Sequence, residues 1–493
     1  MATSGTIIII GAGIAGLSAG IYARKNGYDT TIYEMHDKPG GMCTSWKRGG
    51  YVFDYSIHNL AGTGKDAGLR KIWDELGALD GLEVLDYEEF VRVEDQEGHH
   101  FTMYSDIDRT VAELRRVSSQ DETLIQKHEK MARKFGRMDM FAALLGGTGM
   151  LKMLPNLRTV SRLTKETLGD RALQFSDPFL RRAFPTLQYG FSNIPMAIHY
   201  VFQGGLDRGD LGSIKGGSLR FSSNLESRFL ALGGKMHCRK KVAKILVQND
   251  AAIGVELTDG TKHYADAVIS AADGKETIFG MLDGRYANDL IKEYYTAWWP
   301  QDQEMGSCVY LGVRMDLTSE PHALTILFKE PFELDGRKVD QLDLDIYSSK
   351  TGMAPEGSGV IKVNLTCNYE RWKKLRESRD AYATAKDQVI DTVIKALEPR
   401  FPGLGSKVEQ RDMATLITSE RFVGTFHGFQ AWGPKREQTT IMRNGLSRTL
   451  PGLANFYMAG QWAEGSIGLP TAAVSGRRVI KAVCKKDGRK FTP

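Results

Sequence analysis

The chain of 493 residues is longer than one hydrophobic core serves, so two or three structural units are expected and a small disulfide scaffold is excluded. Apolar residues make up 42% and charged residues 25%, which is typical of a globular protein and excludes a disordered or multi-spanning chain. With 65 Lys and Arg against 60 Asp and Glu, the net charge of +5 is slight and argues against nucleic acid as the main partner.

The five cysteines are scattered along the chain without a C-x-x-C pair, so neither a disulfide framework nor a metal site is indicated. This pattern favours a reducing cytoplasm. Met1 to Ala23 lacks charged side chains, but it has no basic leading region and is broken by glycines. It is therefore interpreted as a buried strand and helix rather than a leader or a membrane span.

The first predicted unit is a strand, a glycine-rich turn, a helix and a second strand. Its pieces are Thr6 to Ile10, then Gly11, Gly13 and Gly16, then a helix to about Asn26, and then Tyr28 to Tyr33, which ends at Glu34. The strand is an uninterrupted β-branched run, the turn has the spacing G-x-G-x-x-G, and the acidic residue lies 18 positions beyond the last glycine. Together these features are typical of a dinucleotide-binding βαβ unit.

Each glycine has a physical task in such a turn. Gly11 permits the tight bend, Gly13 lets a pyrophosphate approach the backbone, and Gly16 allows the helix to pack closely on the strand. The helix N-terminus offers N–H groups and a partial positive charge to the phosphates. Glu34 is expected to accept hydrogen bonds from the adenosine ribose, which disfavours NADP but leaves NAD and FAD open. A purely structural glycine turn is the alternative.

A basic and partly apolar region follows. From Met131 to Pro185, ten basic residues stand against four acidic ones. This pattern fits either an amphipathic surface that contacts anionic lipid or the solvated face of ordinary helices. The apolar run Met140 to Leu151 is twelve residues long, too short to span a bilayer. Residues 130–182 are predicted to form a helical cap whose Met and Leu content suits a passage for a lipophilic substrate.

Three further features favour FAD over NAD. The first is Lys38 to Met42, whose glycine pair can bring backbone N–H groups near a pyrophosphate. The second is a group of predicted strands: Lys240–Val247, Ala251–Leu257 and Tyr264–Asp273. The third is the segment Phe456–Trp462, which leads through Gly465 and Gly468 to a helix with Pro470 at its first position. No second G-x-G-x-x-G follows a strand, so a separate NAD domain of the disulfide-reductase type is not expected.

A second unit is predicted from strands of a largely antiparallel sheet and a long helix: Leu85–Tyr104, Cys308–Leu317, Leu324–Phe328, Gln341–Tyr347 and Gly359–Asn368, with Arg371–Leu397 helical. We therefore predict an α/β fold in which a Rossmann-like FAD-binding domain is interleaved with an α+β substrate domain. The FAD-binding domain is expected to comprise residues 1–85, 210–290 and 445–493, and the substrate domain residues 86–209 and 291–444.

Taken in order, short segments along nearly the whole chain resemble the flavin amine-oxidase superfamily, and within it the phytoene desaturase, carotenoid isomerase and retinol saturase branch. They are IIIIGAGIAGLSAG, KPGGM, GYVFDYSIH, KKV, ISAADGKETI, MAPEG, ERFVG and MAGQW with GLPTAAVSGR. The resemblance implies an FAD-binding domain of the glutathione-reductase-2 type. No cysteine lies near Trp462, so a thioether link is not expected and the FAD is predicted to be noncovalent.

The resemblance also implies a set of cofactor-binding residues: Gly11, Gly13, Ala15, Gly16, Glu34, Gly40, Gly41, Met42, Val242, Gly460, Gln461, Gly468, Leu469 and Thr471. In this assignment Val242 contacts adenine through its backbone, and Gly460 and Gln461 lie beside the flavin. The helix after Gly468 would stabilise negative charge on the reduced ring through its dipole. The family often has Arg where this chain has Met42, so a side-chain cation on the pyrophosphate is missing.

Flavin chemistry at a C–H bond passes a hydride between substrate carbon and the ring, and desaturation also releases a proton to a base or to solvent. The candidates for the base are Tyr55, His58 and Glu464, and His58 ranks first because histidine ordinarily titrates near neutral pH. A structural histidine bonded to backbone is the alternative for His58. Three aromatic residues are candidates for lining the substrate cavity, although core aromatics would give the same pattern: Trp462, His427 and Trp432.

These features predict an FAD-dependent oxidoreductase that desaturates, saturates or isomerises a carbon–carbon bond of a lipophilic, isoprenoid- or carotenoid-like substrate. The substrate class rests on the resemblance alone. One alternative is a flavin amine or amino-acid oxidase, and another is a non-catalytic binder of prenyl chains of the GDP-dissociation-inhibitor type. A cytoplasmic location with contact to an anionic membrane surface is expected, and the oligomeric state is left open.

Overall fold

The computed structural model describes residues 5–139, 157–188, 190–296, 306–428, 447–464 and 468–493, without the side chains of residues 157, 296 and 464. The whole apolar run Met140–Leu151, together with Trp432 and Gly465, lies outside these residues. The strands are β1 (Thr6–Ile10), β2 (Asp29–Tyr33), β3 (Ser45–Arg48), β4 (Tyr51–Asp54), β5 (Leu60–Ala61), β6 (Val84–Leu85), β7 (Glu89–Asp95), β8 (His100–Tyr104), β9 (Leu211–Ile214), β10 (Lys235–His237), β11 (Val242–Gln248), β12 (Ala251–Leu257), β13 (Lys262–Tyr264), β14 (Ala267–Ser270), β15 (Ser307–Val313), β16 (Ala323–Leu334), β17 (Arg337–Ser348), β18 (Gly359–Leu365), β19 (Val408–Ala414) and β20 (Phe456–Met458).

The α-helices of the described residues are α1 (Ile14–Lys25), α2 (Arg70–Leu76), α3 (Ile107–Val117), α4 (Glu122–Gly136), α5 (Leu157–Leu163), α6 (Leu168–Ala172), α7 (Pro178–Ala183), α8 (Met196–Asp207), α9 (Ser218–Ala231), α10 (Asp289–Thr296), α11 (Tyr369–Leu375), α12 (Arg379–Leu397), α13 (Leu404–Lys407), α14 (Leu416–Val423), α15 (Gln461–Glu464) and α16 (Leu469–Lys486). Short 3₁₀ turns occur at Ser119–Asp121, Phe184–Thr186 and Ser349–Thr351, and a π-helical turn at Glu276–Met281. Within the described part of the chain, no helix combines the length and the apolar character needed to cross a membrane.

A five-stranded parallel sheet has the order β10-β2-β1-β14-β20. The central strand β1 is buried on both faces, because Ile7 and Ile9 pack into one hydrophobic core and Ile8 and Ile10 into another. This double burial explains why the strand reads as an unbroken apolar run. All five strands place their carboxyl ends at one edge, where ligands of open parallel sheets bind.

A seven-stranded sheet has the order β19-β15-β18-β17-β16-β7-β8 and is antiparallel except where β16 pairs with β7. One face is apolar and packs against α12: Val309, Leu311, Leu344, Ile346, Ile361 and Val363 lie in the same core as Val389 and Val393. Since side chains alternate along a strand, the residues between them point to the opposite face. The predicted α/β fold class, with a parallel and a largely antiparallel sheet, is confirmed. The predicted domain limits stay a prediction.

Several predicted elements differ from the structure in their limits. Strand β19 was not predicted, because three residues of its sequence VEQRDMA are charged: Glu409, Arg411 and Asp412. The helix predicted for Arg371–Leu397 is two helices, since Ser378 caps the second by accepting a hydrogen bond from the Ala381 N–H. Tyr264 belongs to β13 and pairs with β12, so the buried strand predicted from it begins only at Ala267. Pro470 is the second residue of α16 rather than the first.

The helical cap predicted for residues 130–182 stays a prediction, and part of that range lies outside the described residues. The described helices in and next to it are α4 to α8. Helices α4 and α8 pack closely, because a Cβ added at Gly204 would lie 2.7 Å from Gly136 Cα. Between these helices lie His128 and His199, each 1% exposed, with ring centroids 5.7 Å apart. Burial, together with the Arg171 cation, lowers the pKa of His199 to about 3, and burial holds the pKa of His128 well below its ordinary value.

Because these two histidines are buried in the neutral form, we expect the protein to lose stability as the pH falls below about 6.5. In the unfolded chain both take up a proton near that pH, whereas in the folded chain His199 stays neutral down to about 3. The unfolded chain binds more protons in this window, so the free energy of unfolding decreases by up to about 1.4 kcal/mol per pH unit for each histidine.

Urea denaturation at neutral pH and about 1.5 units below the ordinary histidine pKa measures this loss. His199→Leu is expected to reduce the pH dependence, while His100→Gln, at an exposed ring, is the control. An identical pH dependence in wild type and His199→Leu would contradict the expectation.

Candidate functional site

The three glycines of the first turn have the conformations that their predicted tasks require. Gly11 has φ of +93°, in the region that only glycine adopts readily. A Cβ added at Gly16 would lie 2.0 Å from the Gly11 carbonyl oxygen, so only glycine lets α1 pack this closely on the turn. A Cβ added at Gly13 would meet nothing within 4 Å. The turn therefore presents an open concavity at Gly13, of the kind a pyrophosphate would fill.

The N-terminus of α1 faces this opening without a side-chain cap. Gly13 is the N-cap residue, and no side chain accepts a hydrogen bond from the first turn. The first N–H groups of a helix have no partner within the helix and carry a partial positive charge. The glycine turn and the start of α1 thus form a site suited to the diphosphate of a dinucleotide.

The second glycine pair lies against the first turn. The Gly40 N–H donates to the Ala12 carbonyl oxygen (2.9 Å), and a Cβ added at Gly41 would lie 3.3 Å from Gly13 Cα. A Cβ added at Gly40 would come within 2.5 Å of the Cys43 carbonyl oxygen. Contact between two glycine turns that are distant in sequence places more backbone beside the same concavity, next to the half-buried Met42.

Glu34 lies at the carboxyl end of β2 and is 6% exposed. Its Oε2 accepts a hydrogen bond from the Ala12 N–H (2.6 Å) and its Oε1 accepts one from the His36 N–H (2.8 Å). Burial raises the pKa of the Glu34 carboxyl although these backbone donors act against the rise. The carboxylate is therefore fixed beside the glycine turn, and each oxygen keeps a second lone pair for a ribose hydroxyl.

Val242 is brought next to Glu34 by a backbone hydrogen bond. The Lys240 N–H donates to the Glu34 carbonyl oxygen (2.8 Å), two residues before Val242 opens β11. The Val242 side chain is 2% exposed and packs with Ile8 and Ile10. Its position beside the acidic residue agrees with a backbone contact to adenine, which stays a prediction.

The C-terminal segment returns to the same edge of the parallel sheet. Strand β20 pairs with β14, and the Gly460 N–H that follows it donates to Ser475 Oγ (2.8 Å). Gly460 has φ of +109°, and its added Cβ would lie 3.7 Å from the Ala15 Cβ. A Cβ added at Gly476 would lie 2.6 Å from the Ala15 carbonyl oxygen, so α16 crosses directly over α1.

Helix α16 begins after its N-cap Gly468, which has φ of +107° and no side-chain cap. Leu469 is half-buried, Thr471 is buried and Gln461 is half-buried. The N-terminus of this helix carries a partial positive charge, as the predicted contact with a reduced ring requires. Glu464 ends α15, and its side chain is outside the described residues.

Trp462 and His427 lie around one turn after β14. Trp462 is 8% exposed, and its Cγ would lie 3.0 Å from a Cβ added at Gly274. The Phe426 N–H donates to Asp273 Oδ2 (3.1 Å), and His427 stacks on Tyr369 with ring centroids 4.0 Å apart. Burial raises the pKa of Asp273 to about 6. Both predicted substrate residues are thus held by aromatic and turn contacts, while Trp432 is outside the described residues.

The predicted bases Tyr55 and His58 belong to a loop that is fixed at both ends. Both oxygens of Asp54 accept hydrogen bonds from Ser218 at the start of α9, and the Ile57 N–H donates to Ser218 Oγ (2.9 Å). Tyr55 donates its hydroxyl to the Gly306 carbonyl oxygen (2.7 Å), and burial raises its pKa far above its usual value. Tyr55 is therefore anchored rather than poised to lose a proton.

His58 contacts a buried carboxylate. Its Nδ1 lies 2.9 Å from Asp345 Oδ1, and its side chain is 24% exposed. The second oxygen of Asp345 lies 3.2 Å from Lys362 Nζ and 3.1 Å from Asn364 Nδ2. This group of buried polar side chains on β17 and β18 was not predicted. Its only signal is a charge at alternate positions of the buried strands LDLDIY and VIKVNL.

Comparison with known proteins agrees with this geometry. Residues 9–76 match the family model of the NAD(P)-binding Rossmann-like domain. The chain is 24% identical to a prolycopene isomerase of Daucus carota over 95% of its length and 78% of that protein, and 23% identical to an all-trans-retinol 13,14-reductase of Danio rerio over 92% and 82%. A lycopene-forming phytoene desaturase of Paracoccus sp. is 29% identical, but that match spans only 54% of each protein.

Solved structures share the whole fold. An oxidoreductase from Methanosarcina mazei covers 97% of this chain with a TM-score of 0.64 at 17% identity, over 100% of its own length. A putrescine oxidase variant covers 98% with the same TM-score at 15% identity, over 99% of its own length. At these identities the likeness shows the fold alone. The relatives with full-length matches confirm the predicted resemblance: the chain is similar to the phytoene desaturase, carotenoid isomerase and retinol saturase branch.

Proposed function

We propose that this protein is an FAD-dependent oxidoreductase acting on a carbon–carbon bond of a lipophilic, isoprenoid- or carotenoid-like molecule. The observation that carries the proposal is the open concavity at Gly13, bordered by a second glycine turn and by the uncapped start of α1. The names of the relatives supply the substrate class, because each refers to a carotenoid or a retinoid.

FAD is the occupant that fits the donors on both sides of the crevice. The Gly13 and Gly41 backbones and the start of α1 would hold the diphosphate, Glu34 the ribose, and the first turn of α16 the far end of the ring system. Bound there, a flavin supplies a site that takes up or gives a hydride. None of the five cysteines lies within 19 residues of Trp462 in the sequence, which favours a noncovalent flavin.

The reaction needs one proton transfer for each hydride transfer, and His58 is the side chain best suited to it. It is a partly exposed imidazole in a loop pinned by Ser218, and its Nδ1 is hydrogen-bonded to a buried carboxylate. An imidazole held in this way can accept a proton from a substrate carbon or return one to it.

Anaerobic reduction of the purified protein tests the proposal. We expect yellow protein whose flavin spectrum changes oxidation state on addition of carotenoid, polyprenoid or retinoid compounds, with a matching change in the number of double bonds of the compound. Peroxide formation with an amine and no response to alkenes would instead support an amine oxidase. Colourless protein that resists FAD reconstitution would support the prenyl-chain binder, and either result would overturn the proposal.

We also propose a cytoplasmic protein whose cap contacts an anionic membrane surface, from which a lipophilic substrate is collected. The cap exposes Arg158 and Arg162, one turn apart on α5, and Lys165, and none of the three has an ion-pair partner among the described residues. Leu173, nearby in the cap sequence, is 74% exposed. Exposed cations beside an apolar side chain are typical of contact with anionic headgroups.

Replacing Arg158, Arg162 and Lys165 with glutamine is expected to weaken binding to phosphatidylserine vesicles, by about 1 kcal/mol per charge. Flotation of the protein with vesicles of anionic and of neutral lipid measures the effect. Glutamine at three exposed lysines outside the cap, Lys338, Lys350 and Lys374, makes the same change in net charge and is the control. Equal flotation of both triple variants would contradict membrane contact through the cap.

A further inference from the structure

An ion pair is buried on the polar face of the seven-stranded sheet. Asp345 on β17 lies directly opposite Lys362 on β18 in the antiparallel register, so both side chains project from the same face. Asp345 is 5% exposed and Lys362 is 1% exposed. The neighbouring residues on each strand lie on the apolar face instead: Leu344, Ile346, Ile361 and Val363. Charges are rarely buried this deeply unless they are paired and serve a specific purpose.

Each member of the pair contacts the loop that carries His58. Asp345 Oδ1 lies 2.9 Å from His58 Nδ1, and Asp345 Oδ2 accepts from Lys362 Nζ (3.2 Å) and Asn364 Nδ2 (3.1 Å). Lys362 Nζ also donates to the Tyr55 carbonyl oxygen (3.3 Å), three residues before His58. The ammonium group therefore fixes both the carboxylate and the loop.

The surroundings keep Asp345 ionised. Burial would raise the pKa of its carboxyl, but the contact with His58, the Lys362 cation and the hydrogen bond from Asn364 bring that pKa far below its ordinary value. An ionised carboxylate has no proton to donate, so the hydrogen of the bond to His58 must be on Nδ1. In a neutral imidazole with Nδ1 protonated, Nε2 carries the lone pair.

We propose that Asp345 and Lys362 are positioning residues that hold His58 in the Nδ1-protonated form and make Nε2 the nitrogen that exchanges a proton with the substrate. The inference rests on the proposed function and names the parts of the chain that would perform its proton step. Neither residue contacts substrate in this assignment, since both act through His58.

In the direction of desaturation, a bound flavin would take a hydride, with both electrons of its C–H bond, from one substrate carbon. The neighbouring carbon loses a proton to His58 Nε2, and the electron pair of that C–H bond becomes the second bond of the alkene. The resulting imidazolium is stabilised by the Asp345 carboxylate and then releases its proton to solvent. Saturation runs the same transfers in reverse.

Asp345→Asn is the test, because it keeps the size of the side chain while the new amide can either donate to Nδ1 or accept from it. Asp343→Asn is the matched control. Asp343 lies on the same strand and the same face, two residues away, and is hydrogen-bonded to Thr325 Oγ1 (2.7 Å) and Gln341 Nε2 (3.0 Å) instead of to His58.

The first readout is the tautomer of His58 in holoprotein labelled with ¹⁵N-histidine, at a pH about two units above the ordinary histidine pKa. His58→Gln assigns the signal. We expect Nδ1–H in wild type and in Asp343→Asn, and a shift to Nε2–H or a mixture in Asp345→Asn. A predominant Nε2–H form in the wild type overturns the proposal even if Asp345→Asn does not fold.

The second readout separates kcat from KM. Asp345→Asn is expected to lower kcat on the order of 100-fold with little change in KM, because proton transfer is impaired and substrate binding is not. A changed tautomer with an unchanged kcat would overturn the assignment of His58 to the proton step. Absence of flavin or of alkene chemistry would overturn the proposed function, and the tautomer measurement would still decide whether Asp345 positions His58.

Discussion

Gly13→Ala is expected to produce a stable protein that no longer retains flavin. The φ of Gly13 is −66°, which alanine adopts without strain, and the added methyl group meets no protein atom within 4 Å. The methyl group instead occupies the concavity in which the diphosphate would rest. Hydrogen bonds to a charged group contribute about 1.5–3 kcal/mol each, so the loss of one or two weakens FAD binding by about 100-fold or more.

The affinity of apoprotein for added FAD measures the expected loss of flavin binding. The midpoint of thermal unfolding measures the expected unchanged stability. Gly16→Ala is the contrasting variant, since its methyl group would lie 2.0 Å from the Gly11 carbonyl oxygen and must displace the backbone. It is expected to lower stability as well as flavin binding. Gly405→Ala, where the nearest contact is an ordinary 3.6 Å, is the control for both quantities. Unchanged flavin content in Gly13→Ala would show that the turn does not hold a diphosphate.

Lys362→Met is expected to reduce the free energy of unfolding by about 3–5 kcal/mol. The substitution removes the cation that faces Asp345 Oδ2 and leaves a carboxylate buried with less compensation. It also removes the hydrogen bond to the Tyr55 carbonyl oxygen, so the loop that carries His58 loses one of its anchors. Urea denaturation of the holoprotein, followed by tryptophan fluorescence, measures the loss.

The double variant Lys362→Met/Asp345→Leu distinguishes the loss of an ion pair from a general loss of packing. Replacing both charges with apolar groups is often neutral, so the double variant is expected to regain most of the stability. Lys338→Met, at an exposed position of β17, is the control and is expected to change stability little. If the double variant is no more stable than Lys362→Met, the loss of stability in Lys362→Met does not come from a buried carboxylate without its cation.

The first glycine turn could be predicted from the sequence because its requirements are local. Strand, glycine turn and helix are contiguous from Thr6 to Lys25, and the clash that Gly16 avoids is with the carbonyl oxygen of the nearby Gly11. The resemblance to known relatives and the confirmed fold class follow from the same locality, since short ordered motifs carry the resemblance. Helix and strand limits were less certain, as with the cap at Ser378 that divides one predicted helix into two.

Contacts across long stretches of sequence could not be predicted. His58 and Asp345 are 287 residues apart, and the alternation in LDLDIY indicates which side chains share a face without indicating which strand lies beside them. His128 and His199 gave no signal for a similar reason, because a histidine on an amphipathic helix looks the same whether it meets solvent or another helix.

By itself the sequence determined the first glycine turn and predicted a dinucleotide there, because backbone conformation and the absence of a side chain are properties of the residues Gly11, Gly13 and Gly16 themselves. Only the tertiary structure decided which groups stand around His58. That outcome depends on the register of β17 against β18 and on the packing of a distant loop on their polar face, and such long-range pairing is fixed by the energy of the whole fold rather than by any one segment.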